Sequence, residues 1–81
     1  MREEILEFAL AMENKLQNND YKGHWCGCDK EYLTVKLMEE IHELFKAIMQ
    51  RESDDEVISE AADVANIVMM IADNYISGRF E

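Results

Sequence analysis

The stretch EIHELFKAIMQRESDDEVISEAAD, residues 40–63, decides the fold. On its N-terminal side apolar residues recur at helical spacing: Leu33, Leu37, Ile41, Leu44 and Ile48 make one row, with Met38, Phe45 and Met49 beside it. On its C-terminal side Val57, Ile58, Ala61, Ala62, Val64, Ala65, Val68, Met69, Ile71, Ala72, Tyr75 and Ile76 cover well over half of a helix's circumference, which predicts a central helix. Only Arg51 to Ser53 separates the two, and a link that short forces antiparallel neighbours. Ser53-Asp54-Asp55-Glu56 has the pattern of a capping box, in which the Ser hydroxyl and the Glu carboxylate satisfy free N–H groups at a helix start.

Outward from this turn, Asp29 is placed to cap the first helix of the pair, which should end near Gln50, and Gly78 supplies a stop for the second. Arg2 to Asn18 carries Ile5, Phe8, Ala9, Met12 and Leu16 as a core-facing stripe, so a further helix precedes them, its end marked by Asn18, Asn19 and Asp20. The stretch between, Tyr21 to Cys28, has no periodicity and gathers aromatic, basic and sulfur side chains, as a loop with duties would. The expected fold is all-α: one domain over residues 1–81, a three-helix antiparallel bundle completed by homo-oligomerisation. Self-association follows from size, because a chain of 81 residues buries a small fraction of its surface, while 48% of its residues are hydrophobic, six Met among them. A homodimer or homotetramer is expected.

With 18 Asp and Glu against 8 Lys and Arg, the formal net charge is -10, which repels nucleic-acid polymers and anionic membrane surfaces and invites cations. No apolar run has the length of a bilayer span, and the start MREEILEF places acids where a signal peptide would be basic, so a cytoplasmic protein is expected. Cys26 and Cys28 are too few for a disulfide framework and are expected to be reduced.

The chemistry is expected where the two helices face each other. Positions equidistant from the turn lie level, so Glu43 faces Glu60 and Glu40 faces Asp63; within each helix the i, i+3 spacing puts both acids on one side. At about 100° per residue Glu40 falls close to Leu33, pointing towards the helix interface. Two unit charges about 4 Å apart repel by roughly 4 kcal/mol at an effective dielectric of 20, so the four carboxylates need a positive partner. No Lys or Arg lies between Glu52 and Gly78 to provide it, and a hard divalent cation with oxygen ligands, Mg²⁺ or Mn²⁺, suits the set. Either pair alone is what any amphipathic helix with a solvated acidic face presents; both pairs level across a short turn form a stronger signal.

Lys36 to Leu44 with its Glu40-Ile41-His42-Glu43, followed after sixteen residues by Glu60-Ala61-Ala62-Asp63-Val64-Ala65-Asn66, resembles the paired motif of the all-α nucleoside triphosphate pyrophosphohydrolases, the MazG-like family. The likeness extends to the loop Lys22-Gly23-His24-Trp25 and to Asp73-Asn74. It implies Glu40, Glu43, Glu60 and Asp63 as Mg²⁺ ligands and cleavage of a nucleoside triphosphate between the α and β phosphates, giving a monophosphate and pyrophosphate. Glu43 or Glu40 would then orient or deprotonate the attacking water. Lys36 and Asn66, one turn from the acids, are phosphate candidates, with Lys22 and Arg79 behind them; an ordinary i,i+4 salt bridge to Glu40 is an equally good account of Lys36. Trp25 and His24 are placed to stack on or edge-bind a base, or Trp25 simply packs over the helix ends. His24, Cys26 and Cys28 fall short of a structural zinc pattern. Two other classes stay open: a non-catalytic acidic helical module that oligomerises or binds through its apolar face, and a related hydrolase acting on another phosphoanhydride, such as a phosphoribosyl intermediate.

Overall fold

The computed structural model describes residues 1–19 and 23–80, and among these the secondary structure is entirely helical. Helix α1 spans Glu3–Asn18, α2 Lys30–Met49 and α3 Asp54–Ile76, with a single 3₁₀ turn at Trp25–Gly27 ahead of α2. Both α1 and α2 pack on α3 and not on each other, which makes α3 the central helix its broad apolar surface foretells. No helix among the described residues is long and apolar enough to cross a membrane.

The helix ends are chemically specified. Asp29 accepts the backbone N–H of Tyr32 at 2.7 Å, and Ser53 Oγ accepts that of Glu56 at 3.2 Å, the serine half of the capping box. At the end of α3, Gly78 takes φ 74°, Arg79 N–H reaches Asn74 O at 2.8 Å and Gly78 N–H reaches Tyr75 O at 3.1 Å, a Schellman closure that seats Phe80 in a buried position. Helix α2 ends with the same pair of bonds, Glu52 N–H to Ala47 O at 3.0 Å and Arg51 N–H to Ile48 O at 3.1 Å, but here Arg51 takes the left-handed conformation at φ 55°. Helix α1 begins after Arg2 without a side-chain cap, its first turn carrying Glu3 and Glu4 against the positive end of the helix dipole.

The core departs from the apolar rows read along the sequence. Along α2 the inward row is Leu33, Leu37, Glu40, Leu44 and Ala47, with Leu33 and Ala47 fully buried; Ile41 and Ile48, assigned to that row, face solvent with Met38, Phe45 and Met49. The reason is geometric: α2 packs on α3 alone, and one neighbouring helix covers only a narrow stripe. Along α1, Ile5 and Phe8 are likewise exposed, and the half-buried part of the stripe is Ala9, Met12 and Leu16.

Candidate functional site

Glu40 sits on the inward row of α2, where its side chain is 17% exposed. The turn to α3 brings it level with Asp63, and one oxygen each from Glu40, Glu60 and Asp63 lies within 4.8 Å of the others. Glu43 stands apart: its side chain is 50% exposed and its carboxylate lies 3.7 Å from Lys46. Of the four acids expected to form one site, three converge and the fourth is a neighbour, close enough for its charge to be felt at Glu60. One turn of helix separates Glu43 from Glu40, and the narrow contact with α3 admits only the residue nearer its centre.

Glu60 holds its proton more tightly than an ordinary carboxyl. Burial is the main cause, followed by the charges of Asp63, Glu40 and Glu43, while the Lys15 ammonium works the other way. The chain around Glu60 and Asp63 has no Lys or Arg, as read from the sequence, yet α1 supplies that lysine from elsewhere. Lys15, from α1, lies 3.2 Å from Asp63 Oδ2 and donates to Ser59 Oγ at 3.0 Å. Lys36 contributes a second charge, 3.7 Å from Glu40 and 3.8 Å from Glu39. Three converging carboxylates thus meet two lysines. Lys15 is far from these acids in sequence, and α1 delivers it across the tertiary fold. Its signal was nonetheless present: Lys15 stands beside Leu16 and three residues after Met12, at the edge of the core-facing stripe.

A pocket of about 420 Å³ opens between the helices, with Lys15, Lys36, Glu40 and Asp63 at one end and His24, Trp25 and Cys28 at the other. Asn66 and Met70 of α3 line it between those ends. Asn66 is 4% exposed; its amide Nδ2 donates to Met12 O at 3.0 Å, which leaves Oδ1 buried with no hydrogen-bond partner, so Asn66 offers an acceptor and not the donor that the expected phosphate contact needs. At the far end Trp25 donates from Nε1 to Asp73 Oδ2 at 2.9 Å, and the His24 ring stacks on it at 4.0 Å between centroids. That bond, with Arg79 beside it, holds Asp73 below the usual carboxylate range. Trp25 therefore both packs on α3 and forms a wall of the pocket.

Other expected contacts fall elsewhere. Arg79 is engaged by Asp73 at 2.7 Å and by Asn74 Oδ1 at 2.5 Å, away from the acids, so its place as a phosphate contact is withdrawn. Lys22 lies outside the described residues. His24 Nδ1 accepts the backbone N–H of Cys26 at 3.0 Å, and His24, Cys26 and Cys28 do not gather as metal ligands; among the described residues only Glu40, Glu60 and Asp63 do.

The donor set fits a hard cation. Oxygen ligands about 2.0–2.1 Å from Mg²⁺ lie about 3–4 Å from one another, so three carboxylates already within 4.8 Å need only small side-chain rotations to close on one. Compared with protein-family models, curated proteins and solved structures, the chain matches none.

Proposed function

We propose that the chain is a Mg²⁺-dependent nucleoside triphosphate pyrophosphohydrolase. The observation that carries the reading is the juxtaposition, in one pocket, of converging carboxylates with two lysines at one end and a stacked His24–Trp25 pair at the other. Glu40, Glu60 and Asp63, with Glu43 swung in from Lys46, would hold the cation, Mg²⁺ or Mn²⁺. Bound there, it neutralises phosphate charge and polarises the α-phosphorus.

The remaining work falls to the chain. Glu43 or Glu40 orients the attacking water and takes its proton as the water oxygen bonds to the α-phosphorus and pyrophosphate leaves. Lys36 lines the pocket beside Glu40 and faces the phosphates, and the buried Asn66 Oδ1 accepts a hydrogen bond from the substrate. The ring pair offers a stacking surface for the base. Helix rise sets the scale: Asp63 and Met70 are about 10 Å apart along α3, close to the span from the α-phosphate of a nucleotide to its base. The exposed face of Ile41, Phe45 and Ile48 would be covered in a homodimer or homotetramer, and a cytoplasmic setting suits both substrate and free thiols.

The test is turnover of a panel of ribo- and deoxyribonucleoside triphosphates by wild type and Glu43→Gln, with products separated chromatographically. Monophosphate plus pyrophosphate from wild type, lost in a folded Glu43→Gln variant, supports the reading; equal activity in the two removes Glu43 from the chemistry. Inorganic phosphate release, or turnover confined to phosphoribosyl compounds, points to the related phosphoanhydride hydrolase instead. One observation favours the non-catalytic module: Lys15 and Lys36 already offset much of the acids' charge. If neither Mg²⁺ nor Mn²⁺ raises the melting temperature, that module is the better account.

A further inference from the structure

Lys15 is bound in an unusual place for a helix-surface lysine. Its ammonium bridges Asp63 Oδ2 at 3.2 Å and Ser59 Oγ at 3.0 Å, its side chain is 30% exposed, and the residue lines the same pocket as Lys36, Glu40 and Asp63. It is the one element of the acidic end that comes from α1, so its charge arrives by tertiary packing alone. The acids by themselves would not mark a ligand site. A separate feature does: Asn66 lines the pocket, and its Oδ1 is nearly fully buried without a hydrogen-bond partner, an acceptor left for a donor group of a bound molecule.

We infer that Lys15 exchanges partners during binding: it is the resident counter-ion of Asp63 in the free protein and a phosphate contact once a metal–nucleotide complex occupies the pocket. The inference rests on the proposed metal-dependent reading. An ammonium and a divalent cation compete for Asp63, since their like charges repel and both draw on the charge of one carboxylate, whose Oδ2 Lys15 already contacts. A metal that takes up Asp63 therefore weakens the hold of Lys15 on it and favours another acceptor. The flexible stem of Lys15 keeps the ammonium at the pocket, where phosphate oxygens are the nearest new acceptors. Lys36 does not have this choice in the same form, because its contacts at 3.7 and 3.8 Å are shared between Glu40 and the outward-facing Glu39 and involve neither Asp63 nor Ser59.

The exchange predicts opposite effects on two affinities. Replacing Lys15 by Met removes a competitor for Asp63, so Mn²⁺ alone should bind about threefold more tightly, the scale of a part-exposed ion pair. The same change removes a charged hydrogen bond to phosphate, so α,β-imido analogues of the four deoxynucleoside triphosphates, in saturating Mg²⁺, should bind about tenfold or more weakly. Lys15→Arg should keep both affinities closer to wild type than Lys15→Met does. Mn²⁺ binding is read by electron paramagnetic resonance and analogue binding by calorimetry, with circular dichroism as the check of folding.

Ser59→Ala, which frees the ammonium from its second anchor without removing it, covers the case of a poorly folded Lys15→Met protein: it should tighten Mn²⁺ binding to a smaller degree. Weakening of both affinities would mean that Lys15 merely supports the fold and would overturn the proposal. No change in either affinity does the same. If the wild-type protein binds no Mn²⁺, the metal-dependent reading falls and takes the exchange with it; if Mn²⁺ binds well but independently of Lys15 and Ser59, the exchange alone is lost.

Discussion

Glu60 and Asp73 are displaced in opposite directions, and together they shape the pH dependence of stability. Burial and its acidic neighbours raise Glu60 above its ordinary value of 4.5, so its ionisation opposes folding: the stability present below pH 4.5 is lost as pH rises through the folded value. Asp73 is lowered below 3.8 chiefly by the Trp25 indole, so its contribution is present above pH 3.8 and lost as pH falls through the folded value. Thermal melts of the metal-free protein should show the Glu60 decline above pH 4.5, and Glu60→Gln should flatten it and raise the melting temperature at neutral pH. An unchanged profile in that variant would mean that the carboxylates do not converge in solution. Trp25→Phe keeps the ring and deletes the indole N–H, so Asp73 should titrate at higher pH in that variant, measured by carboxyl NMR.

At the scale of elements, the two Schellman closures differ in one residue, and the difference has a thermodynamic consequence. Gly78 meets no penalty at φ 74°, whereas Arg51 at φ 55° holds a side chain in the left-handed region. That conformation costs an L residue about 1–2 kcal/mol, of which the greater freedom of glycine in the unfolded chain gives back about 0.5–1. Arg51→Gly should therefore stabilise the protein by roughly 0.5–1 kcal/mol. Asp29→Ala, by contrast, removes the cap of α2 and should cost about 1 kcal/mol, or about 4–8 °C of melting temperature in a domain this small. Chemical denaturation of the three proteins side by side checks both signs. Because α2 carries Glu40 and Lys36, fraying from Asp29 should also loosen the pocket end that holds Trp25 before it reaches the acids.

For the whole molecule, the decisive property is how much apolar surface three helices leave uncovered. The radius of gyration is 13.3 Å, against about 12 Å for a well-packed chain of this length, and Phe45 is 58% exposed in the C-terminal half of α2. With α1 and α2 on α3 and not on each other, the outer face of α2 presents Ile41, Phe45 and Ile48 together. Self-association through that face should make the melting temperature rise with protein concentration. Phe45→Lys combined with Ile48→Lys should convert the assembly to a smaller species in sedimentation velocity, and a wild-type chain that sediments as a monomer at all concentrations would refute the expectation.

The sequence by itself determined the elements and their connection. Helical periodicity, Asp29, Ser53 and Gly78 are local signals, and a three-residue link between amphipathic helices leaves one arrangement, so the three helices, their ends and the central place of α3 were legible. The level placement of Glu40 with Asp63 followed from the same turn. How wide the buried stripe is was not legible, since hydrophobicity along α2 covers a wider arc than one neighbour can bury; packing on α3 kept Leu33, Glu40 and Ala47 inside and left Ile41, Ile48 and Glu43 out. The Lys36–Glu40 pair was legible from its i,i+4 spacing, but the counter-charge of Asp63 was not, because Lys15 meets it across 48 residues of chain, a distance no local pattern spans. Only the tertiary structure decided the electrostatic balance of the candidate site, for the physical reason that a half-buried carboxylate takes its partner from whatever the fold brings near it, however far away in sequence that residue lies.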